Sequence, residues 1–173
     1  MQTAELLTRI TIWLALSGYV SGAALFLFNH GRRPWLRAAR WAWTLGCGCL
    51  LAHVVCAFQF YHAWSHWAAY HATAAQTGAV VGWAWGGGVY VNYAFTLLWT
   101  LDVSAWWARG LASYARRPAW LTVAWHGFFV FMLFNGTVVF GHGAARWFGL
   151  LLCAVLLICW LLARRKQNPL LTH

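Results

Sequence analysis

Five apolar segments alternate along the chain with shorter polar or charged connections. Each segment has close to the roughly 20 residues that an α-helix needs to cross the hydrocarbon core of a bilayer. The pattern therefore predicts an all-α integral membrane protein, a bundle of about five transmembrane helices in a single domain covering residues 1–173. The predicted spans are residues 6–28, 41–61, 89–108, 119–140 and 147–163.

The connection between the second and third spans, residues 62–88, is too long for a plain loop. Its first part, residues 62–77, has no Pro or Gly and is rich in Ala and aromatic residues. This composition predicts a helix that continues from the second span beyond the membrane and stops at Gly78. Three consecutive glycines, Gly86–Gly88, then predict a turn into the third span. We call residues 62–88 the cap and expect it to lie, partly helical, against the exterior membrane surface.

The distribution of charge predicts the orientation of the spans. Only 8% of residues are charged, against about a quarter in soluble domains. Arg9 and Arg146 are the only basic residues on one predicted side, which the positive-inside rule assigns to the exterior. The amino terminus is then exterior and the carboxyl terminus cytoplasmic, and we expect the inner membrane of a bacterium. The cytoplasmic basic residues are Arg32, Arg33, Arg37, Arg40, Arg109, Arg116, Arg117, Arg164, Arg165 and Lys166.

These basic residues do not point to nucleic acid, although the net charge is +10. They stand in short runs between apolar segments, without the aromatic interleaving of a nucleic-acid module. The lipid bilayer is the expected partner.

Small and aromatic residues predict how the spans pack and where they end. Gly18 and Gly22 form a small-xxx-small pattern that favours close packing of the first span on a neighbour. Nine of the 15 tryptophans lie at predicted helix ends, where indole rings favour the membrane interface. These predicted anchors are Trp35, Trp41, Trp43, Trp64, Trp67, Trp106, Trp107, Trp120 and Trp147.

Histidines near the exterior face are candidate metal ligands. His62 and His66 are spaced i to i+4, which on a continuous helix puts both imidazoles on one face. His71 follows, and His142 ends the fourth span on the same side. A site of three or four histidines suits copper, with zinc as an alternative. An amphipathic surface helix is the competing interpretation of this spacing.

Uncharged polar residues at a similar depth predict a pocket beneath the cap. They lie within about 3 to 6 Å of the exterior boundary, counted by helical rise. Polar groups that face lipid are costly, so these side chains are expected to face inward. Ordinary hydrogen bonding between helices is the alternative. The residues are Gln59, Asn92 and Asn135.

His53 is the histidine nearest to the middle of the membrane. It forms a stripe with Cys49 and Cys56 on the second span that could ligate copper(I) or a haem iron, although buried cysteines often act as small apolar residues. His53 lies about 18 Å and His126 about 10 Å from the predicted cytoplasmic face. A shift of the predicted span boundaries by about two to four residues would nearly remove this mismatch, so one b-type haem between them is possible. The spacings from His53 to His66 and from His126 to His142 do not favour two stacked haems.

Asp102 and His126 lie at the same predicted depth, about 10 Å from the cytoplasmic ends of their spans. A carboxylate in hydrocarbon is expensive unless it is paired, so a hydrogen bond between Asp102 and His126 is expected. Three interpretations stay open: a buried structural pair, a step in a proton relay, or a carboxylate that orients a metal-bound His126.

Together these features predict a small membrane metalloprotein, redox-active in electron transport, that binds copper or a b-type haem near the exterior face. One alternative is a non-enzymatic subunit or assembly factor of a larger membrane complex, or a homo-oligomer. Another is a small proton-coupled transporter with Asp102 and His126 on the pathway. Only two acidic residues are present, which excludes hydrolysis by paired carboxylates. The pattern leaves open whether the protein turns over a substrate.

Overall fold

The computed structural model describes residues 2–29 and 31–167, and these residues form six α-helices, two short π-helices and no strand. Met1, His30 and the side chains of the predicted cytoplasmic tail (Arg164, Arg165 and Lys166) lie outside the described part. The α-helices are α1 (Gln2–Leu27), α2 (Arg33–Ala57), α3 (His66–Val81), α4 (Gly88–Ala115), α5 (Ala119–Phe134) and α6 (Ala144–Gln167). The π-helices Phe58–His62 and Asn135–Val139 follow α2 and α5 directly.

Four of these helices are long and apolar enough to cross a membrane, and they correspond to four of the five predicted spans. The remaining predicted span, residues 89–108, lies within α4. That helix has 28 residues with a kink at Gly110, and its part before the kink is about 33 Å long at 1.5 Å per residue, but Asn92, Asp102 and several Trp and Tyr residues lower its hydropathy. The four apolar helices are Gln2–Leu27, Arg33–His62, Ala119–Val139 and Ala144–Ala163.

The apolar surface of these four helices is mostly not buried inside the protein. Only 11% to 22% of the most apolar stretch of each helix is buried. Large apolar side chains such as Val123, Phe131 and Ile158 are exposed. A surface of this kind is compatible with a multi-pass membrane protein, since soluble monomers rarely expose large contiguous apolar patches.

The helices extend further than the apolar segments that predicted them. Helix α2 begins at Arg33 rather than at residue 41, so most of the predicted connection 30–40 is helical. Pro34 lies in its first turn, where proline fits a helix, and the Arg, Ala and Leu that follow are strong helix formers. Helix α4 continues to Ala115 through a kink at Gly110, whose φ of 76° and ψ of 170° only glycine adopts readily.

The chain divides into two compact units, neither of which is continuous in sequence. The first unit contains α1 up to Gly18 and the stretch Thr44–Ala105. Its core includes Trp99 and Phe95, which are both buried. A Cβ on Gly46 would lie 3.1 Å from the carbonyl oxygen of Ala15 and 3.2 Å from the backbone of Gly18. The close packing expected at Gly18 is therefore confirmed, with α2 as the neighbour.

The second unit contains Tyr19–Trp43 and the chain from Trp106 onward. The rings of Tyr19, Trp43 and Phe129 form its core, with centroids 4.8 to 5.6 Å apart. Gly22 allows α1 to approach α2, because a Cβ there would lie 3.2 Å from the Trp43 ring. The predicted packing role of Gly22 is thus also confirmed.

The predicted membrane anchors are of two kinds in the structure. Trp64, Trp67, Trp120 and Trp147 are exposed, as an interfacial anchor requires. Trp43 and Trp106 are each only 2% exposed, so their prediction as anchors is wrong. Both rings are packed against other aromatic side chains, and a position near a helix end does not distinguish such packing from interfacial exposure.

The cap is a separate helix rather than a continuation of the second span. The π-helix ends at His62, and Ala63 and Trp64 then adopt positive φ values of 46° and 57°. Ser65 caps the new helix α3 by accepting a hydrogen bond from the Ala68 amide at 3.2 Å. Both the continuous helix over residues 62–77 and its predicted end at Gly78 are therefore wrong.

The end of α3 and the entry into α4 are both made by glycines. Helix α3 ends at Gly82, whose φ of 81° provides the left-handed C-cap. The predicted turn at the three glycines is confirmed, since the chain turns at Gly86 and Gly87 and α4 begins at Gly88. A Cβ on Gly86 would lie 2.6 Å from the Tyr70 carbonyl oxygen, so this turn packs directly on α3.

Replacing Ser65 by Ala removes the side-chain cap of α3 and is expected to destabilise this helix by about 1 kcal/mol. The first-turn amides of α3 should then exchange with deuterium about fivefold faster. Hydrogen–deuterium exchange with mass spectrometry measures this rate for the purified protein. Ser21→Ala, an exposed position inside α1, is the control and should leave α3 unchanged. Equal exchange in both variants would contradict the capping role.

Candidate functional site

His62 and His66 do not share a helical face, contrary to their i, i+4 spacing. The reversal at Ala63 and Trp64 separates them. His62 ends the π-helix and meets the Phe58 ring edge-on, with ring centroids 5.5 Å apart. His66 begins α3. The geometric premise of the two-histidine motif is therefore wrong.

His66 is held by two tyrosines of α4. Its Nδ1 lies 3.1 Å from the Tyr93 hydroxyl and its Nε2 lies 3.2 Å from the Tyr90 hydroxyl. A neutral imidazole donates from one ring nitrogen and accepts at the other, so both nitrogens are used. The three side chains link α3 to α4 and fix the cap. The sequence pattern did not predict either tyrosine as a site residue, although their i, i+3 spacing places them on one face of α4.

The other histidines of the predicted exterior site lie apart along the chain. His71 stacks on Trp67, with centroids 5.7 Å apart, and His142 is an exposed residue in the connection before α6. His142 belongs to the second unit, whereas the cap belongs to the first. The described residues contain no group of three or more His, Cys, Asp or Glu side chains that could hold a metal ion. The multi-histidine site stays a prediction.

The polar residues expected to line an exterior pocket make local hydrogen bonds. Gln59 and Asn92 are exposed instead of facing inward, and Gln59 Oε1 accepts from Trp64 Nε1 at 3.0 Å. The half-buried Asn135 donates from Nδ2 to the Phe131 carbonyl within its own helix. Gln59 and Asn135 both lie in π-helices, a rare conformation that is frequent at functional sites.

His53 has the hydrogen bond that typically orients a metal-binding histidine. Its Nδ1 lies 2.9 Å from the carbonyl oxygen of Thr8 in α1. A carbonyl only accepts, so Nδ1 carries the proton and the lone pair is on Nε2. Ligating histidines commonly donate their other N–H to a carbonyl in this way. His53 is half-buried, as are Cys49 and Cys56, which have free thiols.

His126 is enclosed by aromatic rings of the second unit. Its ring centroid lies 5.8 Å from that of Trp43 and 6.2 Å from that of Tyr19. Its Nε2 is buried and has no hydrogen-bond partner among the described residues. Asp102 is a half-buried residue of α4 in the first unit. The hydrogen bond between Asp102 and His126 stays a prediction, as does their role in a proton relay.

His126 lines a narrow cleft together with an aromatic stack that sequence analysis missed. The rings of Trp106 and Tyr114 are parallel, 4.0 Å apart, and Arg117 donates to the Tyr114 hydroxyl at 2.6 Å. The Trp106 indole N–H is also buried without a partner among the described residues. The i, i+3 spacing of Tyr114 and Arg117 is the only sequence signal of this arrangement.

No protein-family model, curated protein or solved structure matches this chain. The function of this protein is therefore inferred from the chain's own residues. His53 is oriented through its Nδ1, His126 has a buried Nε2 without a hydrogen-bond partner among the described residues, and both nitrogens of His66 are bonded.

Proposed function

We propose that this chain is an integral membrane protein with five spanning helices, an exterior amino terminus and a cytoplasmic carboxyl terminus, in a bacterial inner membrane. Support comes from the four apolar helices with outward-facing apolar surfaces. Helix α4 supplies the fifth span, since it is long enough and exposes Leu97 and Leu101. An odd number of spans agrees with the basic residues at the cytoplasmic ends.

Within this membrane protein, His53 is the proposed ligand of a redox-active b-type haem. The observation that carries the proposal is the Nδ1–H of His53 donating to the Thr8 carbonyl at 2.9 Å. This bond fixes the tautomer and directs the Nε2 lone pair away from α1. Haem iron supplies one-electron chemistry at the site when bound.

Haem suits this arrangement better than copper or zinc does. A single imidazole can hold a haem iron, and the rest of the affinity comes from apolar contacts with the porphyrin. Zinc sites take three or four protein ligands, and copper sites use similar nitrogen and sulfur sets. Helix α2 around His53 is apolar, with Leu50, Leu51 and Val54 nearby in sequence. The protein would position the haem, exclude water from it and orient the ligand.

The test is an absorption spectrum with elemental analysis of the purified full chain. The chain is expressed with iron, copper and a haem precursor supplied, and then extracted in mild detergent. Wild type should show a Soret band and about one iron per chain, and His53→Ala should lose both. His66→Ala is the matched control, because the bonds to Tyr90 and Tyr93 already use its ring nitrogens; it should keep the spectrum.

Two outcomes would contradict the haem proposal. One is wild-type protein with neither haem absorption nor stoichiometric metal. The other is an unchanged spectrum in His53→Ala, in which case His126→Ala identifies whether the second unpartnered imidazole is the ligand. Stoichiometric copper without haem would instead favour a copper site formed by the exterior histidines His62, His71 and His142.

A second candidate function, a subunit of a larger membrane complex or homo-oligomer, is favoured by the exposed aromatic surface of the cap. Trp64, Trp67, Trp83 and Trp85 are all exposed there, and aromatic residues are enriched at protein interfaces. A partner that co-purifies at fixed stoichiometry and is lost in Trp67→Ala would support this role. Trp120→Ala, an exposed tryptophan of α5, is the control and should leave the complex intact.

A further inference from the structure

A basic groove lies between the start of α2 and the end of α4 in the second unit. Its volume is about 620 Å³, and four arginines line it: Arg33, Arg37, Arg109 and Arg116. Gly110, at the kink of α4, also lines the groove. Because the kink changes the direction of the chain between Arg109 and Arg116, the groove depends on a backbone conformation that only glycine adopts readily.

Among the residues that the structure describes, no carboxylate lines this groove. The sequence contains only two acidic residues. Glu5 forms an ion pair with Arg9 at 2.7 Å, and Asp102 is not among the residues that line the groove. Four like charges around one groove repel one another unless a counter-ion is present, and a bound anion removes this cost.

The shape and chemistry of the groove select the class of anion. A guanidinium presents a planar fork of donors that matches phosphate oxygens in pairs. Leu36 and Leu111 add apolar surface among the arginines. A ligand with a phosphodiester and an attached hydrocarbon chain satisfies both parts of this lining.

The position of the groove relates it to the membrane. Helix α2 and its π-helical extension form one of the four apolar helices, and the groove lies at the end where that helix begins. If the chain spans the membrane as proposed, this end is at the level of the cytoplasmic lipid headgroups. We propose that the groove is a specific site for the phosphate headgroup of one anionic phospholipid; this inference rests on the proposed membrane residence but not on the haem.

Native mass spectrometry of the full chain in mild detergent tests the proposal. The protein is titrated separately with phosphatidylglycerol, with phosphatidylcholine of the same acyl chains, and with inorganic phosphate. One phosphatidylglycerol should bind per chain at concentrations where phosphatidylcholine does not. Inorganic phosphate lacks the acyl chains and should not displace the lipid at equal concentration.

Two single substitutions separate a specific site from diffuse attraction to basic residues. Arg109→Gln removes a groove charge, and Arg32→Gln removes a charge from the same predicted membrane side outside the groove lining. A basic residue near an anionic lipid surface contributes roughly a fivefold change in binding. If the groove is the binding site, Arg109→Gln should lose this much affinity for phosphatidylglycerol or more, and Arg32→Gln should lose little. Arg109→Lys should retain part of the affinity.

Equal losses in Arg109→Gln and Arg32→Gln would overturn the proposal, and so would equal binding of the two lipids or full displacement by inorganic phosphate. Matching thermal unfolding curves for the two glutamine variants exclude a folding defect as the cause of a difference. If the chain does not reside in a membrane, the purification already shows it, because the protein then stays in solution without detergent. Failure of the haem proposal is seen in the absorption spectrum and leaves lipid binding unaffected.

Discussion

Trp106→Ala is expected to lower the free energy of unfolding by about 3 to 5 kcal/mol, the usual cost of removing a buried tryptophan ring. The ring is stacked in parallel on Tyr114 at 4.0 Å and meets Phe26 edge-on at 5.8 Å. Its removal leaves a cavity next to the His126 cleft and takes away the stacking partner of Tyr114. An SDS titration of the detergent-solubilised protein, followed by near-ultraviolet circular dichroism, measures the loss.

Two further substitutions separate the packing of Trp106 from its polar atom. Trp120→Ala removes the same side chain from a position that is 71% exposed, and it should change the free energy of unfolding little. Trp106→Phe keeps a ring in the stack and deletes the indole N–H, which has no partner among the described residues. It should therefore cost much less than Trp106→Ala. Equal losses in Trp106→Ala and Trp120→Ala would contradict a core role for Trp106.

Hydropathy predicted the existence of the helices well but their ends poorly. A stretch of apolar residues ends where the first charges appear, whereas a helix ends where its backbone hydrogen bonds can no longer be satisfied. Helix α2 therefore includes Arg33 and Arg37, and α4 continues past Arg109. The two π-helices give no signal in hydropathy, because a change in hydrogen-bond register leaves the composition of the segment unchanged.

The candidate site was predicted less well than the fold, for a physical reason. The i, i+4 rule for His62 and His66 assumes an unbroken helix, and the reversal at Ala63 and Trp64 removes that assumption. Neither residue is a glycine, so the break had no recognisable signal. His53 was selected from its depth and its cysteine stripe, but the bond to Thr8 that supports it comes from another helix. Such contacts between distant segments cannot be read from spacing within one segment.

Gly141→Ala is expected to destabilise the fold strongly, because the position has no room for a methyl group. A Cβ on Gly141 would clash with the carbonyl oxygen of Thr137 and lie 2.7 Å from its carbonyl carbon. These are backbone atoms of the second π-helix, so they cannot rotate away as a side chain would. Overpacking of a tight site typically costs about 1 to 3 kcal/mol and occasionally more. The SDS titration used for Trp106 measures the loss.

Gly136→Ala is the matched control, since it adds the same methyl group nearby, within the π-helix that contains Thr137. A Cβ there has no neighbouring atom within 4 Å, and alanine favours helical backbone over glycine by about 0.5 to 1 kcal/mol. Gly136→Ala should therefore leave stability unchanged or raise it, while Gly141→Ala lowers it. A Gly141→Ala variant as stable as the wild type would contradict the close approach of Gly141 to the Thr137 backbone.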